Sequence, residues 1–394
     1  MTTTRRSVLA LAGAAPLAAG GVAALAGSAH AASPRAASAS DAGSIPRDLR
    51  PGGAFDQFVG DLAARDEFSG SVLVTYRGRT VLARSHGMAN KELAVPNGPD
   101  TIFILGSITK LFTAVAIAQL AQRGKVAYQA TLGTYVEGFP AEIADKVTVH
   151  QLLTHTSGLG NFFRDPDYWR DHGTWGSEEE VMNGVLALIR RAPLEFTPGA
   201  GQAYSNSAFV VLGAIVAAAS GQTYYDYVRE HVFRAAGMTG AGFFTAPQWR
   251  DDRRIARPYG IPQGATERVD VHEEHGFVGT PAGGSFASCP DLDRFARALA
   301  GAELVNPAHT QLLLSPKVPL PGGVPGRLAA FEMYGAMAFL MGDRWVISRN
   351  GGASGVSTDM QMFPPDDDWV TVVLTNYDEA ARAVTTKVRE IITS

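Results

Sequence analysis

A single cysteine, Cys289, stands among 394 residues. No internal disulfide is possible, no thiol near the N-terminus can take a lipid, and Cys289 itself reads as a small buried filler. Charge is also sparse: Asp, Glu, Lys and Arg make up 18% of the chain, with a formal net charge of −4. So weakly charged and mildly acidic a protein is not built to bind nucleic acid. Gly-x-Ser-x-Gly occurs nowhere, which removes the strand-turn-helix nucleophile elbow of one large class of serine hydrolases. Phosphate-loop and dinucleotide glycine patterns are missing as well, so no nucleotide cofactor is implied. His272-Glu273-Glu274-His275 lacks the spacing that sets two imidazoles on one helix face; a solvated loop is expected there, with no metal. There is no internal repeat, which excludes solenoids and propellers, and no run of heptads to drive a coiled-coil assembly.

What is present begins at the N-terminus. Arg5-Arg6 precedes an Ala-, Gly- and Leu-rich stretch from Val8 to Ala26, followed by Ala29-His30-Ala31 as a cleavage site. Residues 1–31 are expected to be a signal peptide of twin-arginine type, making the protein secreted or extracytoplasmic. The stretch is nearly long enough to span a bilayer but is weakly apolar and rich in glycine, so cleavage is expected rather than a stable membrane anchor. Cleavage removes two arginines and no acid, taking the formal charge from −4 to −6. Residues 32–50, with many Ala, Ser and Pro, read as a flexible leader, leaving 51–394 as the folded body.

That body is 46% hydrophobic over the chain, enough for a large core. Alternation through Ser71-Val72-Leu73-Val74-Thr75-Tyr76, a turn at Arg77-Gly78-Arg79 and a second run from Thr80 to Ala83 predict a β-hairpin. Helical spacing dominates about residues 110–300, over 149–154, 178–190, 208–219, 224–236 and 292–299. Strands return at 345–348, 360–363 and 369–375, before a last helix near 380–392. The fold class is therefore α+β: one antiparallel sheet built from both chain ends, with flanking helices and an inserted, mainly helical lobe.

Three short strings carry the chemistry. Ser107-Ile108-Thr109-Lys110 places a hydroxyl and an amine on one helix face, because residues i and i+3 are neighbours there. A serine hydroxyl needs such a base to lose its proton during attack. Ile108, Leu111, Phe112, Val115 and Leu120 keep a helical spacing and Gly124 follows as a stop, so Ser107 belongs in a first turn, where free N–H groups favour an oxyanion. Tyr204-Ser205-Asn206 and Arg349-Asn350-Gly351 follow in order.

With these strings in this order, the chain resembles the serine β-lactamase and penicillin-binding superfamily, in particular the class C-like branch of β-lactamases, D-Ala-D-Ala carboxypeptidases, D-aminopeptidases and esterases. Ile104-Leu105-Gly106 ahead of Ser107, Leu152-Leu153-Thr154-His155-Thr156-Ser157-Gly158-Leu159 and Pro281-Ala282-Gly283-Gly284 match the branch too, and the likeness covers about residues 60–390. It implies a β-lactamase/transpeptidase-like fold without cofactor or metal. Ser107 is then the nucleophile, Lys110 its partner amine and Tyr204 the phenol exchanging protons with nucleophile and leaving group. A phenol ordinarily titrates near pH 10, so it serves near neutrality only where cations such as Lys110 or Arg349 stabilise its phenolate. The N–H groups of Ser107 and Gly352 would form the oxyanion hole, each donor being worth roughly 3 kcal/mol.

Asn206, Arg349, Asn350 and Gly351 would contact substrate, Asn206 through the acyl amide. The family usually has Lys or His where this chain has Arg349. Arginine keeps the charge, cannot act as a base and suits a carboxylate, which weighs against β-lactam turnover. His155 lies in a structural segment of the family and is expected to be a hydrogen-bonded core residue. The expectation is thus an exported serine hydrolase forming an acyl-enzyme on Ser107 and cleaving D-residue amides or peptides, or esters. A β-lactamase, an acyltransferase and a penicillin- or cell-wall-peptide-binding protein without turnover are the alternatives. The expected partner is a small-molecule or short-peptide substrate; oligomeric state has no sequence signal.

Overall fold

In the computed structural model, which describes residues 45–322, 328–364 and 368–394, Val72 and Val74 turn to one face of a strand and Leu73 to the other. The strand is β1 (Gly70–Tyr76), and with β2 (Arg79–His86) it forms the expected hairpin. Arg77 and Gly78 close it with φ of 49° and 70°, the left-handed two-residue turn that matches strand twist. The sheet is completed by β3 (Val318–Pro319), β4 (Leu328–Glu332), β5 (Met337–Met341), β6 (Arg344–Ala353), β7 (Val356–Phe363) and β8 (Trp369–Thr375). Its spatial order is β2-β1-β8-β7-β6-β5-β4-β3, antiparallel throughout. β1 lies beside β8, from Gly70 opposite Thr375 to Tyr76 opposite Trp369. Both ends of the chain thus build one sheet, as the sequence predicts.

Side-chain alternation gives the sheet two apolar faces. Val72, Val74, Val346 and Val373 pack with α1 (Ala54–Ala64), through Phe55, Val59 and Leu62, and with the C-terminal helix Ala380–Thr393, through Val384 and Val388. Leu73, Ile347, Met360, Val372 and Leu374 face the inserted helices. Of these, α2 (Thr109–Gln122) is buried from Thr109 through Leu120, so it shows no polar face. Packed on it are α3 (Glu178–Arg191) by way of α4 (Asn206–Ser220), and α4 itself. No single helix among the described residues is long and apolar enough to cross a membrane.

The expected signal peptide, 1–31, and residues 32–44 of the leader lie outside the described residues. Residues 45–50 depart from the flexible leader expected of them: a 3-10 turn at Arg47–Leu49 places Leu49, fully buried, in the core with Phe55 and Val59. The folded body therefore starts before residue 51. Cys289 is buried, as expected.

Candidate active site

Ahead of α2 the chain passes through a 3-10 turn, Gly106–Ile108. Gly106 holds φ at 52° and lies so near β6 that a Cβ on it would fall 2.8 Å from the Gly352 nitrogen, two demands that only glycine meets. β6 answers with Gly351, where a Cβ would fall 2.0 Å from Leu105 O and 2.8 Å from Ser107 N. Thr358 Oγ1 of β7 donates to Leu105 O at 2.8 Å, and Thr109 Oγ1 donates to Gly106 O at 2.7 Å. The turn carrying Ser107 is thus fastened directly to the sheet.

Around Ser107 the structure brings together Lys110, Tyr204, Asn206 and Arg349. Ser107 Oγ lies 2.6 Å from Tyr204 Oη and 3.3 Å from Lys110 Nζ. Lys110 Nζ also donates to Asn206 Oδ1 at 2.7 Å and to Ala282 O at 2.5 Å. Burial, reinforced by the Arg349 guanidinium and opposed by Glu332, holds the Lys110 amine well below the usual lysine range. As an ammonium the group donates to all three oxygens, Ser107 Oγ included; on losing one proton it keeps two hydrogens for Asn206 and Ala282 and turns a lone pair to Ser107. Tyr204 is held by Arg349, whose Nη2 donates to its oxygen at 2.9 Å, while Lys110 Nζ sits 4.7 Å from the centre of its ring. Ser205, not Asn206, caps α4, its hydroxyl accepting from Ala208 N; that frees Asn206 to hold Lys110.

A second layer lies under these groups. His155 is buried, takes φ of 57°, accepts from Ser205 N at 3.1 Å through Nδ1, and stacks on Tyr204 with ring centres 4.7 Å apart. Its role is that of the expected core histidine, and its Nε2 lies 3.7 Å from Glu332 Oε1, too far for a hydrogen bond. Burial, then Arg349 and Lys110, keep this imidazole well below its usual range. Glu332 on β4 was not anticipated. It is 3% exposed, its carboxyl is pushed up to about 7 by burial against the pull of Arg349 and Lys110, and Gln202 Nε2 reaches its Oε2 at 3.4 Å. The available signal was one acid inside an otherwise apolar strand, Leu-Ala-Ala-Phe-Glu-Met.

A cavity of about 440 Å³ opens over Ser107, Tyr204, Asn206 and Gly352, so the expected oxyanion donors border it. The third string divides differently from expectation. Arg349 is 4% exposed and spends its donors on Ser107 O, at 3.1 Å, and on Tyr204 Oη, so it serves the phenol rather than lining the cavity. Gly351 packs on the nucleophile turn and does not border the cavity. Asn350 is exposed, turns to the opposite face of β6 from Arg349 by strand alternation, and does not border the cavity. The His-Glu-Glu-His segment is solvated at Glu273 and Glu274 only: His272 is buried, and His275 packs on Trp249, directs Nε2 to Ser354 O at 2.9 Å and is held near 4 by burial. Among the described residues no cluster of His, Cys, Asp and Glu is fit to hold a metal.

A family model described as Beta-lactamase matches residues 55–392. Esterase EstB of Burkholderia gladioli is 34% identical over 242 residues, 55% of this chain and 59% of its own. Putative penicillin-binding protein PbpX of Bacillus subtilis (strain 168) is 28% identical over 249 residues, 63% of this chain and 59% of its own. The chain thus spans under two thirds of the length of these curated relatives. In structure it resembles a penicillin binding protein from Bacillus halodurans, with a TM-score of 0.75 and 28% identity over 84% of this chain and 98% of that one.

Proposed function

The chain belongs to the Beta-lactamase family, and from that premise we propose that it is an exported serine hydrolase forming an acyl-enzyme on Ser107. The observation that carries this reading is the placement of Ser107 Oγ 2.6 Å from Tyr204 Oη and 3.3 Å from a buried, deprotonation-prone Lys110. Ser107 Oγ attacks the carbonyl of an ester or amide and gives its proton to the Tyr204–Lys110 pair. The oxyanion forms between the N–H groups of Ser107 and Gly352, collapses, and expels the leaving group, which takes the proton back from the pair. Water then repeats the sequence against the acyl-enzyme, releasing the acid and Ser107. Arg349 holds Tyr204 Oη in place throughout.

Purified residues 32–394 should release para-nitrophenol from a short-chain ester, and Ser107→Ala should lose at least about 10⁴-fold in kcat with an unchanged circular dichroism spectrum. Comparable activity in that variant overturns the mechanism. Export rests on Arg5-Arg6 and the Ala29-His30-Ala31 site; a secreted form whose measured mass begins at Ala32 supports it, and an intact N-terminus in the cytoplasm refutes it.

A further inference from the structure

Two clusters of rings in tilted and edge-to-face contact line the cavity over Ser107. Phe163, Trp169 and Trp175 form one with their neighbours; Phe244, Trp249 and Phe286 form the other. Contacts within each cluster hold its rings: Trp169 Nε1 donates to Phe163 O at 2.8 Å, and Trp249 lies 5.1 Å from Phe286, ring centre to ring centre. Yet Trp169 is 54% exposed and Phe163 39%. Large rings held rigid and left to water beside a nucleophile are surface for an apolar ligand, and little order remains to be lost when one binds. About 150 Å³ is enough to hold a benzene ring, so the cavity, at about 440 Å³, admits a ring and its linker and is far larger than a methyl side chain needs.

The charge around the cavity narrows the ligand further. No lysine or arginine lines it among the described residues, and its one carboxylate is Glu274. Lys110 and Arg349 are buried and already donate to oxygens of the protein itself. A peptide ending in a free carboxylate, or a β-lactam with its ring carboxylate, would meet Glu274 and find no lysine or arginine; of the two lining histidines, His275 is held near 4 by burial and so stays neutral. We infer that the substrate is an uncharged ester or amide bearing an aromatic group, seated between the two ring clusters, and that substrates with a free carboxylate are rejected. For the reaction this rests on Ser107 being the acylated group; for the binding it does not.

Three methyl esters, followed by acid release, test it: phenylacetate, acetate and hydrogen succinate. The expected order of kcat/KM is phenylacetate above acetate by at least about tenfold, with succinate slowest, and a phenylacetate-to-acetate ratio that falls at least about fivefold in Trp169→Ala. Acetate equal to phenylacetate, succinate fastest, or a ratio unmoved by Trp169→Ala overturns the inference. Failure of the reaction itself is separated by titrating Ser107→Ala, which needs no turnover, with N-benzylacetamide and N-methylacetamide while following tryptophan fluorescence. Tighter binding of the benzyl compound by about tenfold supports the aromatic site whatever the chemistry; equal binding refutes it.

Discussion

Replacing Gly351 by alanine adds one methyl group where β6 touches the nucleophile turn. Gly351 has no left-handed φ, so alanine accepts its backbone angles and the variant isolates the missing space. The methyl carbon would lie 2.0 Å from Leu105 O, 2.6 Å from Thr358 Oγ1 and 2.8 Å from Ser107 N, whereas ordinary contact begins near 3.4 Å. Two of these neighbours are backbone and cannot rotate away, so turn and strand must separate by more than about 1 Å. Ser107 and Gly352 sit on opposite sides of that gap, and a misplacement of about 1 Å costs on the order of 10²-fold in rate. We expect kcat/KM for a para-nitrophenyl ester to fall about 10²- to 10³-fold. Overpacking should cost about 1–3 kcal/mol of stability, read as a drop of a few degrees in the thermal midpoint. Asn350→Ala, one residue away on the exposed face, should stay within about 0.5 kcal/mol. A Gly351→Ala enzyme within threefold of the parent, with the same midpoint, would refute the clamp.

Arg349→Met removes the charge that helps depress the Lys110 amine. The amine then titrates higher, so the acidic limb of the kcat/KM profile should move to higher pH, with a loss of roughly 10- to 100-fold from the missing bond to Tyr204; an unmoved limb contradicts the coupling. The Glu332 carboxyl, raised from 4.5 to about 7, contributes stability that is fully present below about pH 4.5 and lost as pH rises through about 7. The stability of Glu332→Gln relative to the parent should therefore grow by up to about 3 kcal/mol across that window and then level off. Urea midpoints between pH 4.5 and 8 check it, and a constant difference speaks against it. Burial raises the Cys289 thiol far above its ordinary range, so Ellman's reagent should react only after denaturant is added; immediate reaction with native protein would contradict that burial.

The sequence shows the hairpin of β1 and β2 because alternation and a two-residue glycine turn act locally, and it shows α2 because its apolar positions recur. β4 and β5 are hidden: Leu328–Glu332 and Met337–Met341 are mostly half-buried and carry apolar residues at successive positions, so neither shows a period of two. α1 offers only Phe55, Val59 and Leu62 as a stripe. In the site, Ser107 and Lys110 are legible from residue type and i,i+3 spacing, and Tyr204 from the resemblance of Tyr204-Ser205-Asn206 to the family's string. The roles of Arg349, Asn350 and Gly351 are not, since a strand turns successive residues to opposite faces and its register against the nucleophile turn is a tertiary fact. Glu332 illustrates the same limit: its isolation in an apolar strand is visible, but the cations above it are supplied by α2 and β6.

The pairing of Gly70–Tyr76 with Trp369–Thr375 joins residues about 300 positions apart. As the chain is synthesised, the first hairpin emerges early, with one edge of β1 unpaired, and it must wait for nearly the whole chain before β8 arrives. Local helices can form meanwhile, but the sheet cannot close. Docking of the last strand is therefore expected to be late in folding, and until then β1 keeps one edge open to pairing with another chain. A chain truncated before Trp369 would not lose a peripheral element: it would lose the strand that holds the two ends of the sheet together.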